Sequence, residues 1–245
     1  MSFWNKVQKV QDKTLPRCTV IVPAAGSSRR MGGGNKLMMD LCGIPVLQRT
    51  LMAIDSAILA DEIIVAAREE DMLEIADLCH KAGLHKPIRV VQGGESRTAS
   101  VLAAAMECRA DTELIAVHDG ARPLVRPQQI DELIRLGAKT NAVAPALPVT
   151  DTIKVADDEG KVVSTPDRNT LYAVQTPQVF QANILRAALQ SALNDGVTAT
   201  DDCAAVERLG KEVYLTPGDP ENIKITTPFD LIIGEAILTR GGDSL

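Results

Sequence analysis

Between Thr19 and Lys139 the chain alternates short aliphatic runs with longer segments of helical spacing, and this rhythm restricts the fold more than any other feature. Thr19 to Val22, Glu62 to Ala67, Ile88 to Val91 and Leu114 to Val117 read as buried strands. Between and after them, Val46 to about Leu59, Glu69 to Ala82, Ser96 to Arg109 and Pro127 to Lys139 read as helices, the second stopping at Gly83. Strand and helix in repeated succession predict a mainly parallel sheet covered by helices on both faces, with ligand-binding loops gathered at the carboxyl ends of its strands.

The first of those loops carries the most concentrated charge. Thr19 to Lys36 reads TVIVPAAGSSRRMGGGNK, where the strand breaks at Pro23 and is followed by Gly26, Gly32, Gly33 and Gly34 with Arg29, Arg30 and Lys36. Glycines let a backbone approach a bound group closely, and clustered cations neutralise a polyanion. The segment therefore reads as a phosphate-gripping loop, with a solvated surface loop as the alternative. It is not a P-loop, because Leu37 follows Lys36 where a hydroxyl would hold Mg²⁺. The dinucleotide fingerprint fails as well, because Ser28 takes the second glycine position after Gly26.

Two further loops follow strands. Gly93 to Ser100 (GGESRTAS) offers glycines, Arg97 and small hydroxyls where a strand gives way to a helix. Its amides can bind a sugar hydroxyl or a base edge and Ser100 can meet a pyrimidine, or the segment is an ordinary helix start capped by Glu95, Ser96 and Thr98. His118 to Pro123 (HDGARP) sets Asp119 at the ligand edge, where it can hold Mg²⁺ or a ribose hydroxyl, beside Arg122, which can reach a phosphate. An ion pair between the two that only shapes the turn is equally compatible.

From Ala142 the rhythm changes. A strand from Val143 leads into a hairpin excursion, about 147–175, with a polar turn at Asp157 to Gly160; its limbs carry Thr152 and Arg168. A protruding hairpin needs packing, which predicts a second subunit. Helices are expected at Gln181 to Leu193, Asp201 to Leu209 and Pro228 to Thr239, with strands at Glu212 to Thr216 and Ile223 to Thr226. In the last of these, Lys224 lies between Ile223 and Ile225 and would point away from both.

Composition excludes several classes. Only 2% of the residues are aromatic and the net charge is −6, which argues against a nucleic-acid binder. No run approaches a membrane span, and five scattered cysteines without a CxxC pair read as free thiols in a reducing compartment, so a cytoplasmic location is expected. The three histidines have no metal-ligand spacing. Phe3, Trp4, Val7 and Val10 fall on one helical face among lysines, which reads as a docking helix rather than a signal peptide. The whole chain, 1–245, reads as one compact domain with an N-terminal extension of about 1–16 and the hairpin arm, and no fused second domain is expected after the closing helix.

In order along the chain, PAAGSSRRM with Lys36, GGESRTAS, HDGARP, DTIK, DRNTL, TPQVF, TDD and NIKIT resemble the 2-C-methyl-D-erythritol 4-phosphate cytidylyltransferase family from Thr19 to Leu238. The resemblance implies a Rossmann-like α/β fold with a dimerising β-arm, hence a homodimer. It also implies a non-mevalonate isoprenoid activity, in which the phosphate oxygen of methylerythritol phosphate attacks the α-phosphorus of CTP in line and pyrophosphate leaves. By the same resemblance, Arg30 and Lys36 stabilise the triphosphate in the transition state, and Arg168 and Lys224 position the acceptor phosphate. Ala24, Ala25, Gly26, Gly94, Arg97, Ser100 and Asp119 fall in the CTP pocket, and Glu95 and Gly120 count among the substrate-binding residues. Arg122, Thr152, Thr176 and Thr200 fall on the acceptor side, and Mg²⁺ would travel with CTP, Asp119 being its possible ligand. Glu95 replaces the family's common Asp, Gly120 its common Ala, and glycines its Pro before the lysine. The related ribitol 5-phosphate cytidylyltransferases and a catalytically silent nucleotide-binding subunit are the rival readings.

Overall fold

A computed structural model of the chain describes residues 16–26 and 35–242. The amphipathic N-terminal stretch and the cationic part of the first loop, including Arg29 and Arg30, lie outside the described residues.

Strand β1 (Cys18–Pro23) is the spine of the main sheet, paired in parallel with β4 (Glu62–Ala67) on one side and β6 (Leu114–Val117) on the other. β5 (Ile88–Gln92) extends the parallel set beyond β4. On the far side, β11 (Gln178–Gln181) runs antiparallel to β6 and to β7 (Ala142–Pro148), whereas β12 (Tyr214–Pro217) is parallel to β7. The sheet is thus parallel where the sequence alternates strand and helix and mixed where that alternation stops. Two short ribbons stand apart, β2 (Asp40–Leu41) with β3 (Ile44–Pro45), and β8 (Val155–Ala156) with β9 (Val162–Ser164).

Strand side chains alternate between the two faces, so the sheet generates two cores. Val20, Val22, Ile63, Val65 and Ala116 pack beneath α1 (Val46–Ser56), α2 (Met72–Lys81) and α4 (Pro127–Thr140). Their neighbours Ile21, Ile64, Ile115 and Val117 pack with Phe180 beneath α3 (Arg97–Met106), α5 (Ala182–Asn194) and α6 (Asp202–Arg208). Burial on both faces explains why these strands read as unbroken aliphatic runs. Cys18, Cys79 and Cys203 serve as buried fillers of these cores, and all five cysteines are unpaired. Among the described residues no helix is long and apolar enough to cross a membrane.

The hairpin excursion is present. β8 and β9 form its tip, and β10 (Tyr172–Val174) returns antiparallel to the end of β7, pairing Val174 with Ala146. Its apolar side chains are uncovered, with Val162 52% and Val163 66% exposed. Some boundaries differ from expectation. The first helix ends at Ser56, and the segment expected from Glu69 opens as a 3₁₀ turn (Glu69–Asp71) before α2. Ile223 to Thr226 is not a strand: it is an extended connector tied to the sheet loops by Ile225 N–H to the Ala121 carbonyl at 2.8 Å. Asp230 Oδ2 accepts from the amides of both Thr226 and Thr227 at 2.7 Å at the start of α7 (Pro228–Gly242).

Candidate active site

The parallel ladders continue into the loops beyond the strands. The amide of Ala24 donates to Ala66 O at 2.8 Å, that of Gly93 to Ala67 O at 2.7 Å, and that of His118 to Ile21 O at 2.9 Å. The loops after β1, β5 and β6 are therefore held side by side at the carboxyl edge, where they enclose a cleft of about 410 Å³. Ala24, Ala25 and Gly26 form one wall; Gly94, Glu95, Arg97 and Ser100 form another. Asp119 and Gly120 close the floor, and Lys36 and Lys224 enter from opposite ends of the sequence. Asn35 aims Lys36 by capping its one-turn 3₁₀ helix (Lys36–Met38), its side chain accepting from Leu37 N–H at 3.2 Å.

Serine hydroxyls hold the β5–α3 turn. Ser96 caps α3, its Oγ accepting from Ala99 N–H at 3.1 Å. The buried Ser100 Oγ accepts from Gly94 N–H at 3.1 Å and donates to Ser96 O at 2.8 Å. The helix-start reading holds, and Ser100 also lines the cleft wall. Gly94 is required by space, because a Cβ there would lie 2.5 Å from Ala99 Cβ. At Gly120 a Cβ would meet Leu47 Cδ1 and Val22 Cγ1 at 3.2 Å, which ties the floor of the cleft to the core below.

Asp119 is the electrostatic centre. Lys224 Nζ lies 2.8 Å and Arg122 Nε 3.4 Å from its Oδ2, and Arg97 Nη2 lies 3.9 Å from Oδ1. Burial alone would raise this carboxyl's pKa, but Lys224 first, then Arg97 and Arg122, outweigh it and hold the group at about 2. Arg97 in turn rests on the fully buried Asp202, Nη2 to Oδ2 2.7 Å. Burial pushes Asp202 up while Arg97 pulls against it, and the arginine's own charged form is reinforced by both acids. Burial also holds His118 neutral, with a pKa of about 4.

Of the residues singled out from sequence, Lys36, Lys224, Glu95, Gly120 and the seven assigned to the nucleotide pocket share this cleft. Thr176 and Arg122 lie directly behind it: Asp119 N–H donates to Thr176 Oγ1 at 3.0 Å, and Arg122 Nη1 donates to Asn222 O at 2.7 Å. Thr152, Arg168 and Thr200 are exposed and are not among the cleft-lining residues; Arg168 sits on the arm, donating to Thr150 O at 3.2 Å. Arg30 lies outside the described residues. Sequence reasoning missed Ser96 in the wall and Asp202, His118, Asn222 and Gln175 behind it. The signal available for Asp202 was a charged residue inside the otherwise apolar start of α6, DCAAV, which needs a partner from elsewhere in the chain.

A single carboxylate among three cations does not by itself make a metal centre, and the described residues contain no cluster of acidic, histidine or cysteine side chains suited to one. It does fit a hard cation that arrives on a triphosphate, since such ions take one or two carboxylates and draw the rest of their shell from phosphate and water. Among the described residues, Arg97 at 3.9 Å is the cation recorded nearest Asp119 Oδ1.

The sequence profile of the 2-C-methyl-D-erythritol 4-phosphate cytidylyltransferase family matches residues 18–240. A 2-C-methyl-D-erythritol 4-phosphate cytidylyltransferase of Symbiobacterium thermophilum is 43% identical over 221 residues, 90% of this chain and 92% of that one. The crystal structure of 4-diphosphocytidyl-2C-methyl-D-erythritol synthase from Anaerococcus prevotii superposes with a TM-score of 0.81 at 32% identity, covering 91% of this chain and 96% of the other. That of 2-C-methyl-D-erythritol 4-phosphate cytidylyltransferase from Thermus thermophilus gives 0.72 at 31% identity, with 90% and 98% covered. A profile spanning nearly the whole chain, and relatives of matching length and fold, agree with the cleft: this chain belongs to the 2-C-methyl-D-erythritol 4-phosphate cytidylyltransferase family.

Proposed function

We propose that the cleft joins CTP to 2-C-methyl-D-erythritol 4-phosphate, giving 4-diphosphocytidyl-2-C-methyl-D-erythritol and pyrophosphate. A phosphate oxygen of the acceptor forms a bond to the α-phosphorus as the bond from that phosphorus to the β-bridging oxygen breaks, and the electron pair leaves on pyrophosphate. Both reactants are anions, so catalysis consists of neutralising their charge and aligning them. The observation that carries this reading is the approach of Lys36 and Lys224 to one cleft over Asp119.

Lys36, with Arg30, is assigned to the triphosphate, and Lys224, with Arg122 behind it, to the acceptor phosphate. Ala24 to Gly26 and Gly94 to Ser100 offer backbone and small side chains to the nucleotide, while Arg97, braced by Asp202, faces the same wall. Asp119 would hold Mg²⁺ or another divalent cation carried by CTP, which would supply charge neutralisation on the triphosphate. Arg168, Thr152 and Thr200 do not line the cleft of their own chain. We assign Arg168 and Thr152 to a partner's acceptor side through a homodimer in which the arm crosses over. The apolar, uncovered Val155, Val162, Val163 and Tyr172 support that assembly. We read the chain as one such domain acting in the cytoplasm, where its five unpaired cysteines fit a reducing environment.

Pyrophosphate release with CTP and methylerythritol phosphate, with CTP and ribitol 5-phosphate, and with CTP alone tests the reading. Turnover only with the first pair is expected. Turnover with ribitol phosphate instead would reassign the acceptor, and silence with both would leave a nucleotide-binding subunit.

A further inference from the structure

His118 is completely buried directly beneath the cleft and is assigned no contact with either substrate. Its Nε2 lies 3.2 Å from the Arg122 carbonyl, and its Nδ1 lies 3.1 Å from Thr176 Oγ1. A carbonyl can only accept, so Nε2 must carry the proton; the other tautomer would set two lone pairs against each other. Thr176 Oγ1 already accepts Asp119 N–H at 3.0 Å, which leaves its own proton free for Nδ1. One directed chain results: Asp119 amide to Thr176 hydroxyl to imidazole to Arg122 carbonyl.

The same residues are laced a second time. Arg122 Nη1 donates to Asn222 O at 2.7 Å, and Asn222 Nδ2 donates to Thr176 O at 2.9 Å, two residues before Lys224. The loop after β6, the Thr176 turn and the Lys224 connector therefore meet around one ring. We propose that His118 is a positioning residue, whose Nε2–H tautomer fixes Asp119 and Arg122 relative to each other and so sets where Lys224 and Arg122 present their charge to the acceptor phosphate. The inference rests on the assignment of that side of the cleft to the acceptor. A misplacement of about 1 Å in such a constellation costs on the order of 100-fold in rate.

Three variants of the full-length chain separate this role from simple packing. His118→Phe keeps the volume and removes both bonds, His118→Asn places an acceptor where Nδ1 was, and His118→Gln can restore the donor to Arg122. With CTP and methylerythritol phosphate, His118→Phe is expected to lower kcat/KM for the acceptor by about 100-fold, a larger change than that in KM for CTP. Asn and Gln are each expected to recover part of that loss beyond what their melting temperatures account for. An acceptor kcat/KM in the Phe variant within about threefold of wild type, or losses in all three that simply follow melting temperature, would overturn the proposal. Histidine ¹⁵N spectra of the unmutated protein decide the tautomer even if every variant fails to fold: Nε2–H is required, and Nδ1–H or an imidazolium would overturn it. Unmutated protein inactive with both substrates would sink the acceptor assignment instead, and the spectra would still judge the hydrogen-bond chain.

Discussion

Lys224 Nζ and Asp119 Oδ2 are 2.8 Å apart, a contact between a connector near the end of the chain and the loop after β6. The pair balances the cleft, since Arg97 and Arg122 lean on the same carboxylate. Asp119→Asn keeps the shape and removes the charge, leaving three cations to repel one another. Turnover is expected to fall by about 100-fold or more, as when a preorganised electrostatic group is lost, with KM for CTP raised. Initial rates of pyrophosphate release check it, and an unchanged rate would remove Asp119 from the site.

Lys36 stands on one 3₁₀ turn at the cleft and is partly exposed. Lys36→Ala is expected to reduce kcat by about 100-fold, far more than any accompanying change in melting temperature accounts for. Arg30→Ala is expected to behave likewise. Parallel loss of activity and melting temperature would argue for a structural role.

Arg168 provides a test of the crossed arm. Arg168→Ala is expected to raise KM for methylerythritol phosphate more than KM for CTP. If the arm serves the neighbouring subunit, mixing the impaired Arg168→Ala and Lys36→Ala chains, assayed at methylerythritol phosphate well below the raised KM, regenerates up to one intact site per mixed dimer. Recovered pyrophosphate release after mixing is the expected result; no recovery, with mixed dimers demonstrated, would return Arg168 to its own chain.

Gly94→Ala inserts a methyl 2.5 Å from Ala99 Cβ, so the β5–α3 turn must shift. Overpacking of this kind costs about 1–3 kcal/mol. Because the turn is also a cleft wall, the expected outcome is a lower melting temperature together with a raised KM for CTP, measured on the same preparation.

Stability should fall in acid in two stages. His118 has a pKa of about 4 when folded against 6.5 ordinarily, so the unfolded chain binds a proton the folded one refuses, and roughly 3 kcal/mol is lost as pH drops from 6.5 to 4. Asp119, held at about 2, contributes stability that is full above its ordinary 3.8 and disappears as pH falls through 2. Denaturant titrations across pH should show both slopes, and His118→Gln should lack the first.

The loops were legible because each follows an aliphatic run and carries residues, such as Gly94 and Asp119, whose types limit what a strand end can do. Lys224 was misread as part of a strand. Ile223 and Ile225 have the right spacing, but the Ile223 amide turns back to Glu221 O, that of Ile225 reaches Ala121 O in the loop after β6 and that of Thr226 goes to Asp230, contacts that depend on residues outside the segment. The roles of His118 and Asp202 were invisible for a similar reason: each makes sense only beside Thr176 or Arg97, residues distant in sequence.

By itself the sequence determined the strand–helix succession, the two-faced aliphatic strands and the loops that carry charge, since these follow from periodicity and local stereochemistry. Tertiary structure alone decided which charges meet. Whether Asp119 faces Lys224, Arg97 rests on Asp202 or His118 bridges Thr176 to Arg122 depends on how the parallel strands set their loops side by side, and Coulomb energy and hydrogen bonding act only between groups that the fold has already brought within a few ångströms.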